Sequence, residues 1–326
     1  MIAVQEFLKI KEKTFLNPFI DLITFFHIFG LLVKTRPALF LSFSIKPVIY
    51  GSIASKLLRV PTIAMITGLG TVFITDNWIT KFAKELYRIA LSSVSTVFFQ
   101  NLDDKNLFLS NRLVHPKACR MTPGSGVDLV RFRPTKLPNK GKITFLLIAR
   151  LLRDKGIKEF VEAATAASSE IPNAEFQLLG PLGVESRTAI SSAQIGEWEK
   201  NSAVVYLGQT DDVMDYIDRA TCIVLPSYRE GTSRVLLEAA AMGRPIITTD
   251  VPGCREVVEQ GENGFLCKPK DSIDLKNKMI KMASISHSER QEMGEKGRRK
   301  VEKEFDQDIV SRLYLDAIND VIPKFL

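Results

Sequence analysis

Histidine and cysteine are scarce in this chain, which limits the metal and redox chemistry open to it. Only three histidines and four cysteines occur among its 326 residues. The histidines are too scattered to form a zinc site, and no two cysteines have metal-ligand spacing. Buried thiols in a reducing compartment are the simplest interpretation of the cysteines. The sequence therefore predicts no bound metal and no disulfide framework.

A signal peptide of ordinary form is missing, and so is an apolar run long enough to cross a bilayer. One strongly apolar stretch, 19–33, contains Asp21 and His27 and is followed by Lys34 and Arg36. It is shorter than the roughly 20 residues that a spanning helix needs. We interpret it as a core helix or a membrane-surface helix.

The composition is that of a folded protein, but its charge is unevenly distributed. Apolar residues make up 45% and charged residues 25%, and the length suits two domains. Residues 1–135 contain 17 Lys and Arg against 8 Asp and Glu, a balance of +9, whereas the remainder contains 27 against 29. The basic front half suits an anionic partner: phospholipid headgroups, a lipid pyrophosphate or a nucleic acid.

Apolar runs of strand length alternate with helical stretches, an arrangement typical of parallel α/β sheets. A segment rich in Pro and Gly, between about 122 and 141, separates two such series. We predict two doubly wound domains, 1–135 and 136–305, and a C-terminal helix, 306–326, that can pack back on the first domain. The predicted strands are 38–42, 61–66, 96–99, 143–148, 176–179, 204–207, 222–225 and 246–249.

Two cations follow the first strand of the second domain. Arg150 ends the strand, and Lys155 lies just ahead of the next predicted helix. Because ligands of parallel sheets bind at the carboxyl ends of strands, this pair could hold a diphosphate, with bidentate contacts from Arg150. A solvated basic turn is the alternative.

Two glutamates flank the start of a predicted helix, 232–242, after the strand at 222–225. The backbone N–H groups at that start are expected to be unpaired and free to bind a phosphate; they belong to Gly231, Thr232, Ser233 and Arg234. Eight residues of helix correspond to about 12 Å, so Glu230 and Glu238 are expected to act separately along an extended ligand. In the alternative interpretation, Glu230 is a favourable charge at a helix N-terminus and Glu238 is an exposed helical residue. The apolar neighbours of Glu238 argue against that alternative.

Residues 226–239, with their two glutamates separated by seven residues, resemble the signature of the retaining glycosyltransferases of family four. Segments 242–247, 251–256 and 262–266 also fit that family, so that the resemblance extends over about 142–270. It implies the α/β architecture called GT-B, in which two Rossmann-like parallel-sheet lobes flank a cleft. The donor nucleotide lies on the C-terminal lobe and the acceptor on the N-terminal lobe.

The resemblance also assigns roles within the second domain. It implies that Glu230 contacts the hydroxyls of the donor sugar, that Glu238 holds the ribose, and that Arg150 and Lys155 neutralise the diphosphate and stabilise the leaving group. The implied donor-binding set continues with Gly231, Thr232, Ser233, Arg234 and Val235. Family members retain the anomeric configuration and need no bound metal. Accordingly, Asp306-Gln307-Asp308 is interpreted as the start of a helix.

The first domain resembles a bacterial subgroup through residues 43–51 and 67–73. That subgroup transfers N-acetylhexosamines or related sugars from UDP-sugars to undecaprenyl-diphosphate-linked acceptors, in O-antigen (lipopolysaccharide), capsule and N-glycan precursor synthesis. The acceptor-side candidates are Lys46, Thr67, Gly68 and Gly70. Lys46 could meet the diphosphate of the acceptor, or it could be a solvated turn residue. The resemblance implies a cytoplasmic enzyme, peripheral on the inner face of the anionic membrane.

One departure from the family concerns the start of the first lobe. Relatives open with a strand, a loop, a helix and a second strand, on the order of 50–70 residues that are not recognisable here. We therefore expect an incomplete first lobe. An inactive UDP-sugar-binding relative and a UDP-sugar epimerase remain alternatives, whereas nucleic-acid binding would explain only the basic half.

Overall fold

The computed structural model describes residues 18–69, 73, 78–139, 141–183, 186 and 188–322. Within these ranges the chain forms a four-stranded and a six-stranded sheet, and neighbouring strands pair in parallel in both. The predicted pair of parallel-sheet α/β lobes is confirmed.

The first lobe alternates helices and strands in chain order. Its elements are α1 (Pro18–Thr35), β1 (Phe40–Phe43), α2 (Ser52–Leu58), β2 (Thr62–Ile66), α3 (Trp78–Leu91), β3 (Thr96–Phe99), α4 (Leu102–Ser110) and β4 (Cys119–Met121). The strand order is β1-β2-β3-β4. A π-helical turn, Pro47–Gly51, leads directly into α2.

The second lobe and the C-terminal helix complete the chain. Their elements are β5 (Ile143–Ile148), α5 (Ile157–Ala167), β6 (Ala174–Leu179), α6 (Ser192–Asn201), β7 (Val204–Tyr206), α7 (Met214–Arg219), β8 (Cys222–Leu225), α8 (Arg234–Ala241), β9 (Ile246–Thr249), β10 (Gly264–Cys267), α9 (Ser272–Ser284), α10 (His287–Glu304) and α11 (Gln307–Val321). The strand order is β10-β9-β8-β5-β6-β7, with the order reversing between β5 and β8.

Alternate residues of the first sheet face two different layers, as the strand period requires. Ala64 and Phe99 pack in one apolar cluster with Tyr87 of α3 and Phe108 of α4. The opposite face packs against α11, where Phe98 contacts Tyr314 with ring centroids 5.0 Å apart. The C-terminal helix thus covers one face of the first sheet.

A buried arginine joins the linker to the second lobe. Arg244 is 0% exposed and donates hydrogen bonds to the carbonyl oxygens of Thr135 at 3.0 Å and Ile217 at 2.9 Å, among others. Burial lowers the pKa of Arg244 to about 10, which leaves the side chain charged at neutral pH. Its many donors satisfy carbonyl groups that the chain would otherwise bury unpaired.

Helix α1 coincides with the apolar stretch that the sequence singled out. Of the helices within the described residues, none has the length and the apolar character that crossing a membrane would require. The buried side of α1 packs on α2, with Ile28 and Leu32 of α1 in one cluster with Ala54.

Candidate active site

The site lies where β5 and β8 end side by side at the middle of the second sheet. Two loops start there, and hydrogen bonds join them: the backbone N–H of Tyr228 donates to the carbonyl oxygen of Asp154 at 2.9 Å, and the hydroxyl of Ser227 donates to the same oxygen at 3.2 Å. Gly156 has φ of +72°, and a Cβ there would overlap the carbonyl of Pro226. This glycine therefore allows the loops to approach each other.

Lys155 and Glu230, one from each loop, meet in an ion pair. The Lys155 Nζ lies 2.5 Å from Glu230 Oε1, and the two side chains are 16% and 14% exposed. The solvated basic turn considered for this segment does not describe Lys155, because a charge so largely removed from water needs a partner. Arg150 is exposed and follows β5 at the same edge of the sheet.

Helix α8 begins at Arg234, two residues later than predicted. The N-cap residue is Ser233, whose backbone N–H donates to the carbonyl of Gly253 at 2.9 Å. The prediction that this amide is unpaired was wrong, because the loop after β9 folds against the start of α8. The side chain of Ser233 makes no capping hydrogen bond, so it leaves the first-turn amides of Arg234 and Val235 for a ligand.

Helix α5 starts in a similar way at the same sheet edge. Its N-cap is Gly156, which has no side chain to offer. Helices α2 and α7 also start without a side-chain cap, whereas the side chains of Asn101, Ser191, Asp271, Ser286 and Asp306 accept capping hydrogen bonds at the starts of α4, α6, α9, α10 and α11. The helix starts next to Lys155 and Glu230 therefore present N–H groups that favour an anion. The capping role of Asp306 confirms that Asp306-Gln307-Asp308 begins a helix.

Glu238 lies inside α8 and is only 8% exposed, so its interpretation as an exposed residue was wrong. Arg234 Nε donates to Glu238 Oε1 at 3.0 Å. Burial raises the pKa of Glu238, while the charges of Arg234 and Arg131 oppose that shift. Because α8 begins only at Arg234, the first half of the path from Glu230 to Glu238 is not helical. The distance predicted from helical rise does not apply.

The first lobe closes directly on the loop that carries Glu230. The Asn101 Nδ2 donates to the carbonyl of Gly231 at 3.0 Å, and Arg229 forms an ion pair with Asp104, which is 0% exposed. We call these four residues the inter-lobe clasp. Burial raises the pKa of Asp104, and the guanidinium of Arg229 opposes the shift.

Thr67 and Gly68, two of the acceptor-side candidates, touch this same loop. A Cβ on Gly231 would overlap the carbonyl oxygen of Thr67, and a Cβ on Gly68 would lie 3.0 Å from the backbone nitrogen of Gly231. Acceptor-side and donor-side candidates therefore meet at Gly231. Gly70 lies outside the described residues.

Lys46 is buried at 9% exposure, so its interpretation as a solvated turn residue was wrong. Its Nζ lies 3.0 Å from Oδ1 of Asp21, a residue on the inward side of α1. The described residues include no group of three or more His, Cys, Asp or Glu side chains that could hold a metal ion. The four cysteines are free thiols, and three of them are buried.

The clasp was not predicted from the sequence. The pattern of Asn101 followed three residues later by Asp104 indicates a helix N-terminus, which the structure has, but it gives no sign of a contact with the other lobe. The one available signal was the position of Arg229 next to Glu230. A partner 125 positions away could not be read from local spacing.

Comparison with known proteins identifies the family. Residues 131–300 match the family described as glycosyl transferases group 1, and residues 3–101 match the family described as glycosyl transferase 4-like. A similar curated protein is N,N'-diacetylbacillosaminyl-diphospho-undecaprenol alpha-1,3-N-acetylgalactosaminyltransferase of Campylobacter jejuni, at 27% identity over 98% of this chain and 86% of the relative. The capsular polysaccharide biosynthesis glycosyltransferase CapM of Staphylococcus aureus is 29% identical over 50% of this chain and 42% of its own length.

Solved structures share the two-lobed fold. HepE of Anabaena, solved with UDP-glucose, superposes with a TM-score of 0.78 at 17% identity, covering 90% of this chain and 82% of that one. Sucrose-phosphate synthase of Thermosynechococcus elongatus superposes with a TM-score of 0.73 at 20% identity, covering 91% and 77%. The group 1 family matches more than half of the chain, the part that carries both candidate loops. The chain is therefore a glycosyltransferase and belongs to the glycosyl transferases of group 1.

Proposed function

We propose that this enzyme transfers a hexose or an N-acetylhexosamine from a UDP-sugar, with retention of configuration, to an undecaprenyl-diphosphate-linked saccharide during synthesis of a cell-surface polysaccharide or glycan. The observation that carries the proposal is the Lys155–Glu230 pair, held between two helix starts without side-chain caps. A cation, an acid and free amides at one sheet edge suit a nucleoside diphosphate sugar.

The donor side of the proposal assigns each group a task. Arg150, Lys155 and the first-turn amides of α8 face the diphosphate, whose charge grows as the glycosidic bond breaks. Fixed positive groups therefore stabilise the transition state more than the ground state. Glu230 is then left to accept hydrogen bonds from sugar hydroxyls, while Glu238 holds the ribose. The similarity in fold to HepE, which was solved in complex with UDP-glucose, supports a UDP-sugar as donor.

The acceptor side rests on the first lobe. The Campylobacter relative acts, by its name, on an undecaprenol-linked diphosphate sugar. Its alignment covers 98% of this chain. The first 135 residues also carry a balance of +9, which suits an acceptor with a diphosphate. Relatives described as capsular polysaccharide and colanic acid biosynthesis enzymes support a role in cell-surface glycan synthesis.

A product assay tests the proposal. The purified chain is incubated with UDP-N-acetylglucosamine, UDP-N-acetylgalactosamine, UDP-glucose or GDP-mannose and an undecaprenyl-diphosphate-linked saccharide, and the products are analysed by mass spectrometry and NMR. We expect one UDP-sugar to extend the acceptor through a bond with the anomeric configuration of the donor. Free isomerised sugar without acceptor would indicate an epimerase, and UDP binding without transfer would indicate an inactive relative.

Glu238→Ala is expected to weaken UDP binding about tenfold or more, because ribose hydroxyls lose a charged acceptor worth about 1.5–3 kcal/mol. Isothermal titration with UDP measures the effect. Glu292→Ala is the matched control, since its carboxylate is 62% exposed on α10 and belongs to neither loop. UDP affinity that is equal in the two variants would contradict the ribose-binding role of Glu238.

A further inference from the structure

Exposed apolar side chains are concentrated on the first lobe. Of the sixteen large apolar side chains that are exposed among the described residues, twelve lie between residues 19 and 102. Large exposed apolar patches on a folded protein usually mark an interaction surface. The proposed function does not use these side chains.

Helix α1 is the clearest case, because the polarity of its first half is inverted. Leu22, Ile23 and Phe26 are exposed at 54%, 63% and 60%, whereas Asp21 and Thr24 are buried at 5% and 2%. A helix that only covered a protein core would bury the first group and expose the second. The outward side of α1 is therefore built for an apolar environment.

Neighbouring helices extend this side of the lobe. Helix α1 packs against α2, and α2 packs against α3. Leu57 of α2 is 64% exposed, and Trp78 and Phe82 of α3 are 73% and 47% exposed. We call the exposed apolar residues of α1, α2 and α3 the apolar face; its members are Leu22, Ile23, Phe26, Val33, Leu57, Trp78, Phe82 and Ile89.

Arginines at the ends of α1 and α2 flank the apolar face. A groove of about 520 Å³ is lined by Val33, Arg36, Leu58 and Arg59, among others, and both arginines are exposed. Apolar side chains beside guanidinium groups match a bilayer interface, where acyl chains lie beneath phosphate headgroups. The positive charge of the lobe favours anionic lipid over a second copy of the same positive surface.

We propose that the apolar face is the membrane-docking surface of the enzyme, with α1 lying in the interface of an anionic bilayer and Arg36 and Arg59 on lipid phosphates. This extends the proposed function, since a lipid-linked acceptor keeps its diphosphate at that interface. Asp21 links the two surfaces. It lies on the inward side of α1, next to the exposed Leu22 in the chain, and it pairs with Lys46 on the acceptor side. Docking through α1 therefore brings the acceptor-side loop next to the headgroups.

Vesicle flotation tests the docking surface with the full chain. The wild type is mixed with vesicles of phosphatidylcholine alone or with phosphatidylglycerol, and we expect stronger binding to the anionic vesicles. Ile23→Ser/Phe26→Ser is expected to lower the partition coefficient by about tenfold or more, because two apolar side chains no longer enter the bilayer. Ile273→Ser is the control, since Ile273 is 71% exposed on the second lobe.

Charge and assembly are separated by two further measurements. Arg36→Gln/Arg59→Gln is expected to have a partition coefficient about tenfold lower than that of the wild type with anionic vesicles and little changed with neutral ones. Gel filtration shows whether a dimer forms and is lost in Ile23→Ser/Phe26→Ser. A dimer that is lost in the double serine variant would show that the apolar face joins two copies of the chain. That result, or vesicle binding by the double serine variant at the wild-type level, would overturn the proposal.

Failure of docking and failure of the proposed function give different results. Transfer to a water-soluble, short-chain diphosphate acceptor reports on the site alone, and we expect it to be unchanged in the double serine variant. If the wild type binds anionic vesicles but transfers no sugar, docking stands and the proposed activity fails. If the wild type transfers sugar but ignores vesicles, the docking surface is rejected.

Discussion

Glu230→Gln is expected to reduce kcat by about a hundredfold while leaving UDP affinity unchanged or higher, since a charged hydrogen bond of about 1.5–3 kcal/mol is lost in the transition state. The two effects separate because Glu230 lies 2.5 Å from Lys155 in the free enzyme. Without this carboxylate, Lys155 has lost its anionic partner in the protein, and the diphosphate of the donor can take that place. The variant should therefore bind the nucleotide as well as the wild type does but transfer the sugar slowly.

Steady-state kinetics and calorimetric titration with UDP measure the two quantities on the same preparation. Glu292→Gln serves as the matched control on an exposed carboxylate, and thermal unfolding checks that both variants fold. A parallel loss of UDP affinity would place Glu230 at the nucleotide instead of the sugar. A kcat equal to that of the wild type would show that Glu230 has no role in the transfer step.

The sequence was sufficient to predict the architecture and the proximity of Lys155 to Glu230. The strands at 96–99, 143–148, 222–225 and 246–249 are formed by the predicted residues, because runs of apolar residues and threonine of that length suit strands that are buried on both faces. The position of Lys155 next to Glu230 follows from the same logic. Their loops leave adjacent strands, and the carboxyl ends of parallel strands lie at one edge.

Elements with weak local patterns were missed. Strand β4 has only three residues, with Arg120 at its centre, and α4 begins with Leu102-Asp103-Asp104 and has no clear apolar stripe. Both are specified by their contacts with β3 instead of by their own sequence. The start of α8 was misplaced for a related reason: the loop after β9 supplies the hydrogen bond that fixes Ser233 as the N-cap.

Contacts between residues far apart in the sequence were beyond sequence reasoning, although they shape the site. Lys46 was predicted to meet the diphosphate of the acceptor or to be a solvated turn residue, and its pairing with Asp21 was not predicted. Which acid meets which base across tens of residues depends on how helices dock, and no periodicity encodes that. The same holds for Asp104 and Arg229, whose pairing has a testable consequence.

Asp104→Ala is expected to destabilise the closed arrangement of the lobes strongly, by about 3–5 kcal/mol, because it leaves the guanidinium of Arg229 without its buried counter-ion. Asp104 is fully buried and Arg229 only 18% exposed, so water cannot readily replace the lost carboxylate. Thermal unfolding and small-angle scattering measure the loss of stability and the opening of the lobes. Glu170→Ala is the control, since its ion pair with Lys276 is partly exposed and is worth at most about 1 kcal/mol.

A double variant separates stability from positioning. Asp104→Val/Arg229→Met removes both charges and keeps the combined side-chain volume close to that of the original pair, so most of the stability should return. We expect kcat to be low in Asp104→Ala and to remain low in the double variant, while the KM for the donor changes little. Because Arg229 directly precedes Glu230, we expect its anchor on the first lobe to fix the direction in which the glutamate points. If kcat recovers together with stability, the clasp holds the lobes together without orienting Glu230; if it does not, the first lobe completes the catalytic loop of the second.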